Sequence, residues 1–100
     1  MSQVRFFREA EEEFLAEVRY YAGVQAGGAP RFRAAVMAAA ARALAFPGAG
    51  MPYLAGTRRV FVKGYPMFAV YKPESTGIAI VAIVHESRRP GYWLSRADAR

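Results

Sequence analysis

Two basic clusters and one histidine carry most of the chemistry available to this chain. Arg58, Arg59 and Lys63 fall within one short β-prone stretch, and Arg88 and Arg89 follow another closely. Brought together, they would form a phosphate-binding concavity, where arginine stabilises developing negative charge without a conventional base. Dispersed, they are a solvated basic rim. Arg59, Phe61 and Lys63 alternate onto one face of a strand, and a face bearing cations and an aromatic suits nucleic acid or a partner peptide. His85, the only histidine, has a pKa suited to general acid or base work near neutral pH. Alternatively it closes a strand end by hydrogen-bonding the backbone. Tyr92 and Trp93 follow Pro90-Gly91. They either anchor the chain end to the core or stack against bases, and a phenol beside arginines can also relay a proton.

Other chemistries are excluded. There is no cysteine, hence no disulfide framework, thiolate zinc site or cysteine nucleophile. A single histidine removes any His-rich metal site, so neither metal nor cofactor is expected. Gly27-Gly28 lies between two helical patterns rather than between a strand and a helix, and so fails the structural test for a nucleotide loop. Glu9, Glu13 and Glu17 recur at four-residue spacing and read as a solvated helix face, with pairing to a partner as the alternative.

The elements that must position these groups fit one domain spanning residues 1–100, of 11.0 kDa with 54% hydrophobic residues. The longest apolar runs, Ala34 to Ala41 and Ile78 to Val84, fall far short of the ~20 residues a membrane span needs. No charged-then-apolar leader opens the chain. The expectation is a cytoplasmic protein without membrane contact. The formal charge is +6. It is unevenly spread: residues 1–30 carry three arginines and five glutamates (−2), and residues 31–100 carry eleven basic and three acidic residues (+8). Such a surface attracts phosphate polymers or an acidic protein.

Val4 to Phe7 reads as a first strand. Phe7, Ala10, Phe14, Val18 and Tyr21 then recur at helical spacing, with Leu15 and Ala22 widening the stripe, up to a stop near Gly23. Pro30 suits the first position of a second helix. That helix runs to about Ala45 with eight alanines between Pro30 and Ala45, burying Phe32, Val36, Ala39 and Ala43. Arg58 to Val62, Met67 to Lys72 and Ile78 to Val84 read as strands separated by the Gly64-Tyr65-Pro66 turn and the Pro73 to Gly77 turn. Ile78 to Val84 is apolar on both faces and therefore central, with both sides covered. The fold class is α+β, in the order β-α-α-β-β-β: a helical hairpin packed on a mostly antiparallel sheet of three or four strands.

Several segments in order suggest a family. They are Phe14-Leu15-Ala16-Glu17-Val18-Arg19-Tyr20-Tyr21, Arg31-Phe32, Phe46-Pro47-Gly48, Gly56-Thr57-Arg58-Arg59-Val60, Gly64-Tyr65-Pro66 with Phe68-Ala69-Val70-Tyr71, and Ile83-Val84-His85-Glu86-Ser87-Arg88-Arg89-Pro90-Gly91-Tyr92-Trp93. Along nearly its whole length the chain resembles the RelE/ParE superfamily of bacterial toxins, the basic partners in type II toxin–antitoxin pairs. The resemblance implies the fold just described. For a RelE-like member it implies ribosome-dependent mRNA cleavage, with Arg58, Arg59, Lys63, Arg88 and Tyr92 as the catalytic set and His85 as acid or base. For a ParE-like member it implies inhibition of DNA gyrase by protein contact, with Arg59, Phe61, Lys63, Arg88, Arg89 and Trp93 as the partner-binding set. The turn at Tyr65-Pro66 and the Pro-Gly-Tyr-Trp ending favour the ParE side, that of the plasmid-stabilisation proteins. Either way, the resemblance implies a cognate acidic antitoxin that folds around the toxin in a hetero-oligomer. A third reading is a non-toxic binding module that only docks its partner.

Overall fold

Phe7 turns the chain from strand to helix within one residue. Its N–H donates to the Ile80 carbonyl at 2.9 Å, and its own carbonyl accepts the Glu11 N–H at 2.9 Å. It thus ends the first ladder and opens the first helix, with its side chain only 2% exposed. The structure is a computed structural model and describes residues 2–98. In chain order the elements are β1 (Gln3–Phe6), α1 (Arg8–Val24), α2 (Gly28–Ala45), β2 (Met51–Pro52), β3 (Arg58–Phe61), β4 (Met67–Glu74), β5 (Gly77–His85) and α3 (Leu94–Asp98), with a single 3₁₀ turn at Leu54–Gly56 before β3.

The helical periodicity survives in the packing. Ala10 and Phe14 of α1 and Phe32, Val36, Ala39 and Ala43 of α2 are buried, as the apolar stripes require. α2 starts two residues before Pro30. The proline therefore lies inside the first turn, where an N–H lacks an intrahelical partner anyway. At Gly28 a Cβ would collide with the Tyr21 carbonyl, so the two helices meet at a point that only glycine permits.

The sheet runs β1-β5-β4-β3-β2. β1 lies parallel to β5, and the remaining pairs are antiparallel. The two-residue β2 adds an edge strand to the three or four expected. Alternation assigns the faces. Val60, Ala69 and Ile83 are register partners toward the helices, while Phe61, Phe68 and Val84 are partners on the opposite face. Residues Ile78 through Val84 are all buried, so β5 is covered on both sides as expected. The helical hairpin covers one side only. Trp93 and Tyr53 cover the other: Trp93 is 0% exposed, its ring lies 5.9 Å from Tyr53, and Tyr53 lies 5.7 Å from Phe68.

β1 accompanies β5 only as far as Ile80. Beyond that point side chains cover the edge of β5. The Ile83 N–H donates to Glu13 Oε1 at 3.0 Å, and Arg96 Nη1 donates to the Val81 carbonyl at 3.2 Å. An open strand edge is an invitation to mispairing, and here α1 and the C-terminal segment close it together.

Candidate functional site

β3 presents alternate residues to opposite faces, and this decides which basic groups meet. Arg59 and Phe61 face away from the helices. With Tyr53, Phe68, Val84, His85, Glu86, Arg88 and Pro90 they line a concavity of about 320 Å³. The two basic clusters therefore converge through one member each, Arg59 and Arg88. The Arg59 guanidinium carbon sits 4.5 Å from the Tyr53 ring centroid, 5.0 Å from Phe68 and 5.3 Å from Phe61. A cation held over ring faces gains about 0.5–1 kcal/mol at an exposed site and more when desolvated, so the head group is fixed in direction. Its Nε is buried without a hydrogen-bond partner. Phe61 remains 42% exposed and forms an apolar lip. Glu86 offsets part of the positive charge.

His85 closes β5 and borders this concavity. Its Nδ1 accepts the Ser87 N–H at 3.0 Å and lies 2.8 Å from Ser87 Oγ. A backbone N–H on Nδ1 makes that nitrogen an acceptor, which leaves the proton of the neutral ring on Nε2. The strand-end role is thus realised, with a donor nitrogen left over.

Five expected site residues, Arg58, Lys63, Arg89, Tyr92 and Trp93, do not line this concavity. Arg58 stands one position from Arg59 and so projects to the helix side, where its Nη1 donates to the Gly50 carbonyl at 2.7 Å. It does not line the concavity, which corrects the grouping of Arg58 with Arg59. Tyr92 is committed as well. Its hydroxyl donates to Glu13 Oε2 at 2.6 Å. Burial first, and then the bond to Glu13, raise its pKa far above the ordinary phenol range. The hydroxyl is thus engaged with Glu13 and does not line the concavity. Trp93 is buried at 0% exposure and offers no surface to a partner; its role is the anchor. Lys63 is exposed beyond the end of β3 and is not among the concavity's lining residues. Arg89 lines a neighbouring shallow cleft with Arg88, Pro90, Gly91 and Tyr92.

Glu13 departs from the solvated helix face expected of it. Its carboxylate accepts the Ile83 N–H, the Tyr92 hydroxyl and both terminal nitrogens of Arg96, at 2.6–3.2 Å. In the sequence it is one of three glutamates on an apparently solvated face. No local signal separates it from Glu9 and Glu17.

A second concavity, of about 530 Å³, opens on the helix side between the end of α2 and the sheet, lined by small and apolar residues that include Ala45, Phe46, Val60 and Tyr71. Among the described residues no group of three or more His, Cys, Asp or Glu side chains is placed to hold a metal, and no helix is long and apolar enough to cross a membrane.

This α+β architecture is similar to that of a chain in the solved structure of the chromosomal ParDE TA system from P. aeruginosa, with a TM-score of 0.62 and 22% sequence identity, over 85% of this chain and 96% of that one. The fold is thus RelE/ParE-like. No family model matches the sequence, and no curated protein matches it.

Proposed function

We propose that the chain is the toxin of a type II toxin–antitoxin pair, that it arrests growth by gripping DNA gyrase, and that a cognate acidic antitoxin neutralises it. The likeness to a chain of a ParDE TA system supports the class. The observation that carries the target is the dispersal of the RNA-cleaving set: Arg58 is turned to the helix side and Tyr92 is tied to Glu13. The remaining Arg59, Phe61 and Arg88 concavity combines fixed cations with an exposed aromatic, which suits a protein surface. Inhibition of gyrase supercoiling by the purified chain tests this. Inhibition at micromolar concentration is expected, and its absence ends the gyrase assignment. Antitoxin binding should weaken as salt rises, because exposed charges are screened over ~8 Å at physiological ionic strength.

One observation favours a second reading. Arg59, His85 and Arg88 do share one concavity, as an RNA-cleaving member would require. Discrete codon-linked cuts in translated message, mapped by primer extension, would transfer the assignment to mRNA cleavage.

A further inference from the structure

We propose that Glu13, on α1 and one side chain removed from Arg88, is a positioning residue for Arg88 and acts through Tyr92. The inference rests on the reading of the Arg59–Arg88 concavity as the surface that grips the target. Arg88 lies on an exposed segment, and its backbone is fixed by donation of its N–H to the His85 carbonyl at 3.0 Å. Among the described residues its guanidinium makes no hydrogen bond or ion pair. Its carbon sits 4.0 Å from the centroid of the Tyr92 ring, so the ring sets the direction of the head group.

The ring is in turn held at both ends. At the backbone end it adjoins the fully buried Trp93. At the other end the hydroxyl donates to Glu13 Oε2 at 2.6 Å. Glu13 has no freedom to follow a moving ring, because the Ile83 N–H and Arg96 hold its carboxylate as well. The order of Arg88 is therefore borrowed from the edge of β5 through three contacts, Ile83 to Glu13, Glu13 to Tyr92 and Tyr92 to Arg88. A long exposed arginine otherwise loses much rotamer freedom on docking, and a ring fixed in advance removes part of that loss before the partner arrives.

The test uses the full chain and the side-chain Nε–Hε resonance of Arg88. Tyr92→Phe keeps the ring and removes only the tether, while Glu13→Gln leaves a neutral amide that cannot accept every present donor. In both, the Arg88 signal should lose its ring-current shift and become more mobile, while Trp93 emission stays that of a buried indole. In the supercoiling assay each variant should raise the half-inhibitory concentration roughly threefold to tenfold, and Tyr92→Phe should add nothing in an Arg88→Ala background. An unchanged Arg88 resonance in Tyr92→Phe overturns the proposal, as does a full Tyr92→Phe effect without Arg88. If Glu13→Gln exposes Trp93, Tyr92→Phe decides alone. If the unmodified chain leaves gyrase untouched, the target assignment fails while the resonance still decides the positioning.

Discussion

Replacing Glu13 by alanine should be among the most damaging changes open to a charged residue of this protein. Its carboxylate is the acceptor for four donors from two segments: the Ile83 N–H, the Tyr92 hydroxyl and two nitrogens of Arg96. The Arg96–Glu13 side chains are 15% and 19% exposed, so the pair lies between two limits. Breaking a buried pair costs ~3–5 kcal/mol, while exposed pairs are worth ~0–1 kcal/mol. Alanine also strands the Ile83 N–H at a strand edge, and a lost hydrogen bond to a charged group is worth about 1.5–3 kcal/mol. Water reaching the edge recovers part of this. The expected loss is about 3 kcal/mol. That is a large share of the ~5–15 kcal/mol of a typical domain and corresponds to a Tm lowered by ~12–24 °C at this size. Urea unfolding of Glu13→Ala, Arg96→Ala and the double variant measures it. The two single losses should be non-additive, with a coupling above about 1 kcal/mol. Glu12→Ala, an exposed neighbour on the same helix, should stay within about 0.5 kcal/mol of the unmodified chain. If Glu13→Ala behaves like Glu12→Ala, the edge-closing account is wrong.

Tyr92 titrates above its free value of 10.0, so its contribution is intact below pH 10 and is lost as pH climbs toward the folded-state value. The emission maximum of Trp93, the only tryptophan, should redshift on that alkaline limb. Tyr92→Phe should flatten the limb, and an identical limb in that variant would refute the assignment. Glu74 shows the opposite sign. The hydrogen bond from Arg5 holds its carboxyl below the ordinary 4.5, so its contribution is present above that pH and fades as pH falls through the folded-state value. Glu74→Gln should therefore reduce the acid dependence of unfolding measured by circular dichroism, and an unaltered acid limb would count against the pair. Gly77 sits at φ 145°, and a Cβ there would strike the Gln3 backbone. Gly77→Ala should cost at least ~2 kcal/mol and speed amide exchange in β1 first. A near-unmodified Tm would show that β1 can yield.

Much of the architecture was legible because apolar spacing reports burial directly. Phe32, Val36, Ala39 and Ala43 are buried at the predicted spacing. The two apolar faces of Ile78 to Val84 demanded two covers, and the fold supplies two. The second cover was harder to read, because Trp93 and Tyr53 lie 40 positions apart and meet only through tertiary packing. The parity of β3 was also in the sequence. Alternation put Arg59 and Phe61 together and, by the same rule, Arg58 opposite. Grouping adjacent arginines by proximity along the chain overrode that rule. Glu13 was illegible for a different reason. Its task depends on β1 ending at Phe6, opposite Ile80, while β5 runs on to His85, a long-range register that no local window contains.

The same lesson bears on charge. A count of +8 over residues 31–100 suggested one broad cationic face, yet many arginines are spent within the fold. Arg5 pairs with Glu74, Arg31 donates to the Ala26 carbonyl, Arg42 to the Phe61 carbonyl, Arg58 to the Gly50 carbonyl, and Arg96 to Glu13 and the Val81 carbonyl. Arg31 and Arg58 close the turn between the helices and the loop before β2, Arg5 ties β1 to β4 across β5, and Arg42 and Arg96 cover stretches of strand edge. Arginine serves here as a long multidentate donor for carbonyls that no strand reaches. Net charge then overstates the binding surface, and the cations to test first are those whose head groups rest on rings instead of carbonyls, Arg59 and Arg88. Neutralising Arg42 should weaken the fold more than the grip on a partner, and neutralising Arg88 should do the reverse. Paired measurements of Tm and half-inhibitory concentration separate the two classes, and equal effects from both variants would return the argument to charge alone.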